Sequence, residues 1–408
     1  MEKISRRRML LKGGTLGAVG ALSMATPAAA KSLWTWKAAG SVAGTGTGTD
    51  PKQVWDDETD PVVAALLDRG GVPEVNQLLR SWTYNSQALP AGLPPDVRDY
   101  IQSARQLPSW ADQAKLKTAG DFYKKRGLYL GLMYAFNSGM MSTAIPNEAR
   151  AVYYSKGGAD MRDRITKTGK LGHDVGDLNA YQPSGDMIVT AVKTRMTHAA
   201  VRHLLPQSPQ WPVINGWKPI PISQADIMVT WHSLATTAHR TLTKWKLKVS
   251  AAEWDAYLHV WQVTAHMLGV KDEYIPNSWD QAESQATQVL DPILQATPEG
   301  IALADILLGL ASFEQPLLRP PLHALTRYML GNTITDSLEI PREPFWDWAV
   351  KTYWPVFLAI REGAILFVPP DVFWAFDEII RSGVLFYLGE GQNIYIEMPT
   401  ANRTTFPS

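Results

Sequence analysis

The stretch DMIVTAVKTRMTHAAVRH, residues 186–203, carries the residue spacing that decides the fold class. Its apolar residues return every three or four positions, which is the spacing of an α-helix with a buried face. At about 100° per residue, Arg195, His198 and Arg202 lie within about 60° of one another on that helix. Ala191 shares this face and leaves room for a flat ligand. A histidine with an arginine one turn away on each side is unusual in a core. It indicates a buried anionic group, such as the propionates of a haem.

Helical spacing recurs along most of the chain. It predicts helices over 61–67, 75–80, 111–136, 147–156, 160–176, 184–205, 223–246, 251–268, 278–297, 298–309, 322–329, 344–361 and 370–381. Prolines and glycines fall mostly between these segments, where helix breakers belong. Alternation with period two is nearly absent, and only 394–398 predicts a strand. The sequence therefore predicts one all-α domain over 61–408. The preceding segment, 31–60, contains the repeat GTGTGT and is expected to be flexible, with packing against the domain as the alternative.

The first 30 residues have the pattern of a secretory signal. Three arginines at 6–8 precede a short apolar run over 13–24, and the small residues Ala28 to Ala30 provide a cleavage site. The apolar run is too short to span a membrane permanently, and the paired arginines favour the twin-arginine export machinery. A basic N-terminal helix is the alternative. We therefore expect a secreted protein that is exported folded, a route suited to a protein that acquires a cofactor before export.

Composition excludes several classes of function. The 408 residues include 39 basic and 39 acidic side chains, and no cysteine. Removing residues 1–30 leaves 34 basic and 38 acidic groups, a net charge of −4, which argues against a nucleic-acid partner. Without cysteine there are no disulfides, thiolate nucleophiles, iron–sulfur ligands or covalent c-type haem. The motifs G-x-S-x-G, H-E-x-x-H and E-x-x-H, a Walker loop and an EF-hand loop are also missing from the sequence.

A second pattern lies in DMRDRITKTG, residues 160–169. Four residues on one face of the predicted helix form an expected inward stripe: Met161, Ile165, Thr168 and Leu171. Arg164 and Lys167 lie at the edge of this stripe. In one interpretation their cationic groups extend to water. In the other, Lys167 lies in an apolar pocket where burial lowers its pKa. The eight histidines of the chain are expected to be mostly packed or surface residues, and spacing alone does not select a functional one.

Together these motifs resemble those of the latex-clearing proteins, the secreted rubber oxygenases of actinobacteria. The residues that carry the resemblance are Arg164-x-x-Lys167-Thr168, Thr197-His198 between Arg195 and Arg202, Asn147-Glu148-Ala149-Arg150, and Ala324-Leu-Thr-Arg327-Tyr. The twin-arginine leader fits as well, and the resemblance extends over the chain that follows it.

The resemblance implies a globin-like helical core with additional N- and C-terminal helices and one non-covalent haem b. By position, His198 resembles the proximal iron ligand. Lys167 resembles a distal residue that coordinates iron in a closed state and swings away for oxygen and substrate. Glu148 resembles the distal acid/base, with a pKa raised by its apolar pocket.

The resemblance also assigns supporting roles. Arg164 and Thr168 resemble residues that hold the Lys167 helix and the pocket. Arg195 and Arg202 either fix the histidine helix or meet haem propionates, and Arg327 is assigned to cofactor binding with less support than the others.

The implied reaction is oxidative cleavage of the C=C bonds of cis-1,4-polyisoprene, with O2 as co-substrate, into oligo-isoprenoids with aldehyde and ketone ends. An insoluble hydrocarbon requires an exported enzyme, and its binding rests on apolar burial worth roughly 0.8 kcal/mol per methylene. No flavin or nicotinamide motif occurs, which agrees with a dioxygenase. We expect a monomer without a membrane span. The alternatives are a haem oxidoreductase acting on a small terpenoid and a non-catalytic secreted haem-binding protein.

Overall fold

Helices make up almost all the regular structure in the computed structural model, which describes residues 34–155, 161–209, 211, 220–363 and 369–402. The predicted leader, 1–30, lies outside the described residues. From Trp36 onwards the chain forms one unit.

Seventeen α-helices lie in the described residues. They are α1 Thr59–Asp68, α2 Val72–Leu79, α3 Pro95–Ala104, α4 Gln113–Met133, α5 Met140–Thr143, α6 Pro146–Tyr154, α7 Met161–Asp174, α8 Met187–Leu204, α9 Gln224–Trp231, α10 Thr237–Lys244, α11 Ala251–Met267, α12 Trp279–Val289, α13 Pro298–Ala311, α14 Arg319–Leu330, α15 Asn332–Ser337, α16 Pro344–Arg361 and α17 Pro370–Leu388. The predicted all-α fold is confirmed. Three helices, α3, α5 and α15, were not predicted, although Val97, Tyr100 and Ile101 of α3 are buried at helical spacing.

The predicted strand over 394–398 is wrong. This segment has no neighbouring strand to pair with in the described residues. Its backbone instead bonds to one amide side chain: Asn76 Nδ2 donates to the Met398 carbonyl at 2.9 Å, and the Met398 N–H donates to Asn76 Oδ1 at 3.1 Å. Period-two alternation here reflects an extended segment lying on α2, where alternate residues face the protein.

Two of the predicted long helices continue through π-helical segments. Tyr134–Gly139 joins α4 to α5, and His232–Thr236 joins α9 to α10. The two segments contact each other through the buried hydroxyls of Ser138 and Ser233, which are 2.7 Å apart. Such segments are rare and occur often at functional sites. Here the second of them, His232–Thr236, follows directly on α9, which carries a residue of the site described below.

The core forms where α4 packs against α11 and α17. Phe122 of α4 lies 4.9 Å from Tyr257 of α11, measured between ring centroids. The helices that position the site lie beside this core: α7 packs on α8 and α17, and α1 packs along α8.

The segment before α1 also contacts the domain. The Thr47 N–H of the Gly-Thr repeat donates to Glu273 Oε2 at 2.7 Å, and Trp36 Nε1 donates to the Glu273 carbonyl at 3.2 Å. The Tyr274 hydroxyl donates to the Thr49 carbonyl at 3.1 Å. These bonds tie the repeat to the residues that follow α11.

No single helix among the described residues is long and apolar enough to cross a membrane. One bent pair of segments has the length and composition of a membrane span only when both halves are taken together. Its halves are Trp279–Ile293 and Pro298–Ala311, and the bend between them is 107°.

Candidate active site

Glu148 lies in the first turn of α6, which begins at Pro146 after the extended residue Ile145. The hydroxyl of Thr230, on α9, donates a hydrogen bond to Glu148 Oε1 at 2.5 Å. Burial raises the pKa of the Glu148 carboxyl to about 7, and the charge of Asp226 adds to this, while the Thr230 hydrogen bond opposes it. The side chain keeps some accessible surface although burial dominates its pKa. The raised pKa and the remaining accessible surface agree with a carboxyl that faces a cavity inside the protein.

Arg164 lies on α7, and its guanidinium is held away from bulk water. Burial lowers the pKa of Arg164 to about 10, and the carboxylate of Glu148 opposes this shift. One amino group, Nη1, donates to Ser155 Oγ at 3.1 Å. The group therefore remains a cation at neutral pH, close enough to Glu148 to stabilise its ionised form.

His198 lies on α8 and carries a neutral imidazole. Burial lowers its pKa to about 3, and the positive charges of Arg202 and Arg164 lower it further, against a smaller effect of Asp56. Its Nδ1 atom is buried and has no hydrogen-bond partner among the described residues. Buried polar atoms are normally paired, and the neutral imidazole is the form that binds metals. His198 is therefore the residue best suited to hold the metal of a cofactor.

Three of the predicted site residues thus come together from three helices. Arg164 is close enough to influence the pKa of both Glu148 and His198. The arrangement offers a carboxyl that exchanges a proton near neutral pH, a neutral imidazole and a cation whose charge acts on both. These are the groups required for acid/base chemistry beside a bound metal.

Arg195 and Arg202 are paired with carboxylates of the protein. Arg195 Nε donates to Asp56 Oδ2 at 2.6 Å, and Arg195 Nη2 donates to Glu58 Oε2 at 2.8 Å. Arg202 Nε donates to Asp60 Oδ1 at 2.8 Å. An anion is therefore buried beside His198 as expected, and in this structure it is Asp56. Of the two predicted roles, these ion pairs favour fixing the histidine helix, and the assignment of both arginines to cofactor binding stays a prediction.

The ion pair of Asp56 and Arg195 needs space that a glycine provides. A Cβ atom built on Gly269 would lie 2.5 Å from Arg195 Nε and 2.5 Å from Asp56 Oδ2. Gly269 also has a φ of +88°, which other residues rarely adopt.

Of the two interpretations of Lys167, the structure favours the one in which its cationic group extends to water, because its Nζ donates to Asp163 Oδ2 at 2.7 Å on a partly exposed surface. Its catalytic and iron-binding roles stay predictions. The predicted inward stripe of α7 needs one correction. Thr168 is exposed, and its hydroxyl donates to the Arg164 carbonyl at 3.1 Å. The buried threonine of this turn is Thr166, so the inward face is rotated from the predicted stripe. It is rotated because α7 contacts helices on two sides, α8 and α17.

The assignment of Arg327 to cofactor binding stays a prediction. Its Nη1 donates to Asp336 Oδ1 at 2.7 Å, and its Nη2 donates to the Ile340 carbonyl at 2.7 Å. In this structure Arg327 therefore holds α15 and the segment after it against α14.

Sequence reasoning missed Thr230 and the acidic partners of α8. A single threonine in a helix gives no signal of its own. The run WDDETD over 55–60 did give a signal. Its first three acids precede a helix and could neutralise Arg195 and Arg202, two arginines on the buried face of a predicted helix. The other histidines mostly have protein partners. One example is His232, between Thr236 and Gln285, at 2.8 and 2.9 Å.

Comparisons with known proteins decide the family. The family described as "ER-bound oxygenase mpaB/B'/Rubber oxygenase, catalytic domain" matches residues 126–361. The rubber oxygenase of Streptomyces sp. (strain K30) is 58% identical over 405 residues, which are 99% of this chain and 100% of that protein. This chain is a member of the rubber oxygenase family. A solved structure described as latex clearing protein LCP in the closed state covers 90% of this chain and 100% of its own, with 57% identity and a TM-score of 0.82.

Membership in the rubber oxygenase family confirms the resemblance drawn from the motifs and shows that the chain carries an oxygenase catalytic domain. That domain contains Glu148, Arg164, His198 and Thr230. Asp56 lies before it, so the ion pairs that fix the histidine helix come from outside the matched residues.

Proposed function

We propose that this chain is a secreted, haem b-dependent dioxygenase that cleaves the C=C bonds of cis-1,4-polyisoprene into oligo-isoprenoids with aldehyde and ketone ends. The observation that carries the proposal is the meeting of Glu148, Arg164 and His198 in a chain that is 58% identical to a rubber oxygenase over its length. O2 supplies one oxygen atom to each new carbonyl, so the reaction balances without an external reductant.

The residues at His198 fit a haem. Its imidazole is neutral at working pH, its Nδ1 lacks a partner among the described residues, and the side chain keeps accessible surface. His198 would therefore hold the haem iron. When bound, haem supplies the iron chemistry that activates O2. The globin-like character of the helical core is part of the same proposal.

Glu148 is the proposed base toward an allylic proton of the substrate. With a pKa of about 7, about half of these carboxyls are ionised at neutral pH. Thr230 fixes one carboxyl oxygen by its hydrogen bond, which leaves the other, Oε2, to accept the proton. Arg164 stabilises the ionised carboxylate before the transfer and remains charged afterwards.

Lys167 enters the proposal as an exchangeable group. Its position in the family motif implies that it approaches the iron in a closed state. In this structure its Nζ bonds to Asp163, so such an approach requires that ion pair to break. Thr168 and Arg327 have no step in the proposed mechanism.

The substrate proposal explains the predicted leader. Polyisoprene is insoluble and cannot enter a cell, so a chain that cleaves it must be exported, and residues 1–30 have the pattern of a twin-arginine signal. We propose that the exported chain begins at Lys31 and acts as a monomer without a nucleic-acid partner. Sequencing the N-terminus of the protein recovered from culture medium tests this. A chain that stays inside the cell with residues 1–30 attached contradicts it.

The function is tested with purified protein and polyisoprene latex. We expect a Soret band and, under ¹⁸O2, chain fragments that carry the label at both the aldehyde and the ketone ends, after reduction to alcohols to stop exchange with water. A matched incubation without oxygen is the control. Haem-loaded protein that leaves latex intact would overturn the proposal, and conversion of small terpenes alone would favour the second haem-enzyme hypothesis.

A further inference from the structure

Helix α17 turns Asp377 and Arg381 toward the protein. Asp377 is buried, accepts a hydrogen bond from Arg361 Nη1 at 2.9 Å and accepts another from the Leu128 N–H at 3.0 Å. Arg381 Nη2 donates to the His173 carbonyl at 2.8 Å. Because Asp377 and Arg381 bond to the protein on the inner side of α17, the outer side of this helix is formed by its other residues.

The outer side of α17 is apolar. Val372, Phe376, Ile379, Gly383 and Phe386 lie within about 80° of one another at 100° per residue, and we call these five residues the α17 stripe. Its four side chains are between 56% and 73% exposed. A helix of a soluble protein normally faces such a stripe toward the core. An exposed apolar patch of this kind marks an interaction surface.

The apolar surface continues past the end of the stripe. Tyr387 of α17 contacts Phe313 edge-on, with 4.7 Å between ring centroids, and both Phe313 and Leu317 are exposed. The backbone at Phe313 has a φ of +51°, a conformation that costs of order 1 kcal/mol in a residue other than glycine. Arg162 of α7 lies 4.9 Å from the Tyr387 ring and holds this corner together.

The charges around the stripe distinguish between partners. The strongly exposed charged side chains beside it are acidic, and each is paired with a cation: Asp371 with Lys124, and Glu390 and Glu314 with Arg162. These cations, and Arg381, are less exposed than the acids that they pair with. Ion pairs whose acid is the more exposed member offer no attraction to the phosphates of an anionic membrane, whereas an uncharged hydrocarbon needs none. The surface therefore complements a neutral hydrocarbon better than a lipid headgroup layer.

The stripe lies close to the candidate active site. Helix α17 packs against α7, which carries Arg164. The two helices are in contact at Gly169, where an added Cβ would lie 3.4 Å from Leu385 Cδ2. A solid surface that contacts the outer side of α17 is therefore one helix layer from α7.

We infer that the α17 stripe docks this protein onto the surface of solid hydrocarbon, specifically particles of cis-1,4-polyisoprene. The identity of the hydrocarbon rests on the proposed function, whereas the docking role rests on the stripe. Docking holds the enzyme at the polymer surface between cleavage events and acts separately from the groups around His198.

The experiment measures adsorption to polyisoprene particles without oxygen, so that no turnover occurs. The full chain is mixed with a dilution series of particles, which are then separated by centrifugation, and the free protein is measured by absorbance. The test variant is Phe376→Gln/Ile379→Gln/Phe386→Gln, because glutamine is uncharged and favours helices. The control is Tyr84→Gln/Ile306→Gln, which removes two exposed apolar side chains from other parts of the surface.

We expect the triple variant to bind particles at least tenfold more weakly, while the control stays within twofold of the original chain. Turnover of a short, dispersed oligo-isoprenoid should be unchanged in both. Thermal unfolding and haem content report whether the triple variant is folded. If it is not, Ile379→Gln alone, at the most exposed stripe position, should weaken binding about threefold.

Four results decide the inference. Equal adsorption of the triple variant and the original chain would overturn it. A dimer that is seen in sedimentation and is abolished in the triple variant would also overturn it, because a second copy would then cover the stripe. Binding to phosphatidylcholine vesicles as tight as binding to polyisoprene particles would overturn it too. Stripe-dependent adsorption by a chain that cleaves no polymer would support docking and contradict the proposed function instead.

Discussion

Asp56 and Glu148 are both desolvated carboxyl groups near His198, and they titrate in opposite directions. Burial raises the pKa of each. For Asp56, the hydrogen bond and charge of Arg195, with the charge of Arg202, outweigh burial and lower the pKa below its ordinary value. Glu148 has only the Thr230 hydroxyl and the charge of Arg164 against burial, and its pKa rises to about 7.

The difference shows that the partner decides whether a desolvated carboxyl stays ionised or titrates near neutral pH. A bidentate guanidinium keeps Asp56 ionised at any physiological pH and ties α1 to α8. A single hydroxyl leaves Glu148 able to gain or lose its proton. The same contrast separates the arginines: Arg195 is neutralised by two carboxylates, whereas Arg164 has one hydrogen bond to Ser155 and a nearby carboxyl.

The largest effect is expected for His198→Ala. Removing the imidazole that would hold haem iron should abolish the Soret band and the activity while the chain stays folded. His203→Ala on the same helix is the matched control, since His203 pairs with the exposed Asp68 at 3.0 Å. Full haem content in His198→Ala would refute the assignment.

Glu148→Gln should lower turnover by about 10²- to 10⁴-fold, the usual contribution of a positioned acid/base. Glutamine can still accept the Thr230 hydrogen bond, so haem content should not change. Steady-state cleavage of latex, with the haem content measured in parallel, checks this. Turnover within threefold of the original chain would remove Glu148 from the mechanism.

Asp56→Ala should destabilise the fold by about 3–5 kcal/mol, because it leaves the buried Arg195 without its main partner. Denaturant unfolding measures the change. Glu58→Ala is the control and should cost less than about 1 kcal/mol, since that carboxylate is exposed. Equal losses in the two variants would show that Asp56 is not the anchor of α8.

The pH dependence of stability should differ in sign for the two carboxyls. The folded pKa of Glu148 lies above its ordinary value of 4.5, so the native state loses stability as pH rises from about 4.5 to about 7. The pKa of Asp56 lies below its ordinary value of 3.8, so its contribution is present above that pH and is lost in stronger acid. Melting temperatures of Glu148→Gln and Asp56→Asn against pH check both windows. Parallel curves for the two variants would contradict the contrast.

The smallest effect is expected for Thr230→Val. Losing the hydrogen bond that favours the ionised form should raise the pKa of Glu148 further and shift the ascending limb of the pH–rate profile to higher pH. Turnover near pH 7 should fall a few-fold and recover at higher pH. Thr230→Ser, which retains the hydroxyl, is the control. A uniform loss at every pH would indicate a structural role.

Most of the helices could be predicted from the spacing of apolar residues, because each helix buries one face against a common core. α8 was expected over 184–205 and lies at Met187–Leu204. The segment 394–398 was predicted wrongly because alternation also arises in an extended chain lying on a helix. The inward face of α7 was misplaced for a similar reason. The spacing of apolar residues does not reveal how many neighbouring helices a helix contacts.

The choice of Glu148, Arg164 and His198 as candidate site residues could be made from the sequence, since family motifs keep their order and spacing along the chain. Their chemical states could not be predicted in this way. Which carboxylate an arginine beside His198 pairs with, and whether Glu148 has its ordinary pKa of 4.5 or one of about 7, depends on groups distant in sequence. Only the tertiary structure decides this, because electrostatic and desolvation energies depend on distances through space, whereas a sequence records only positions along the chain.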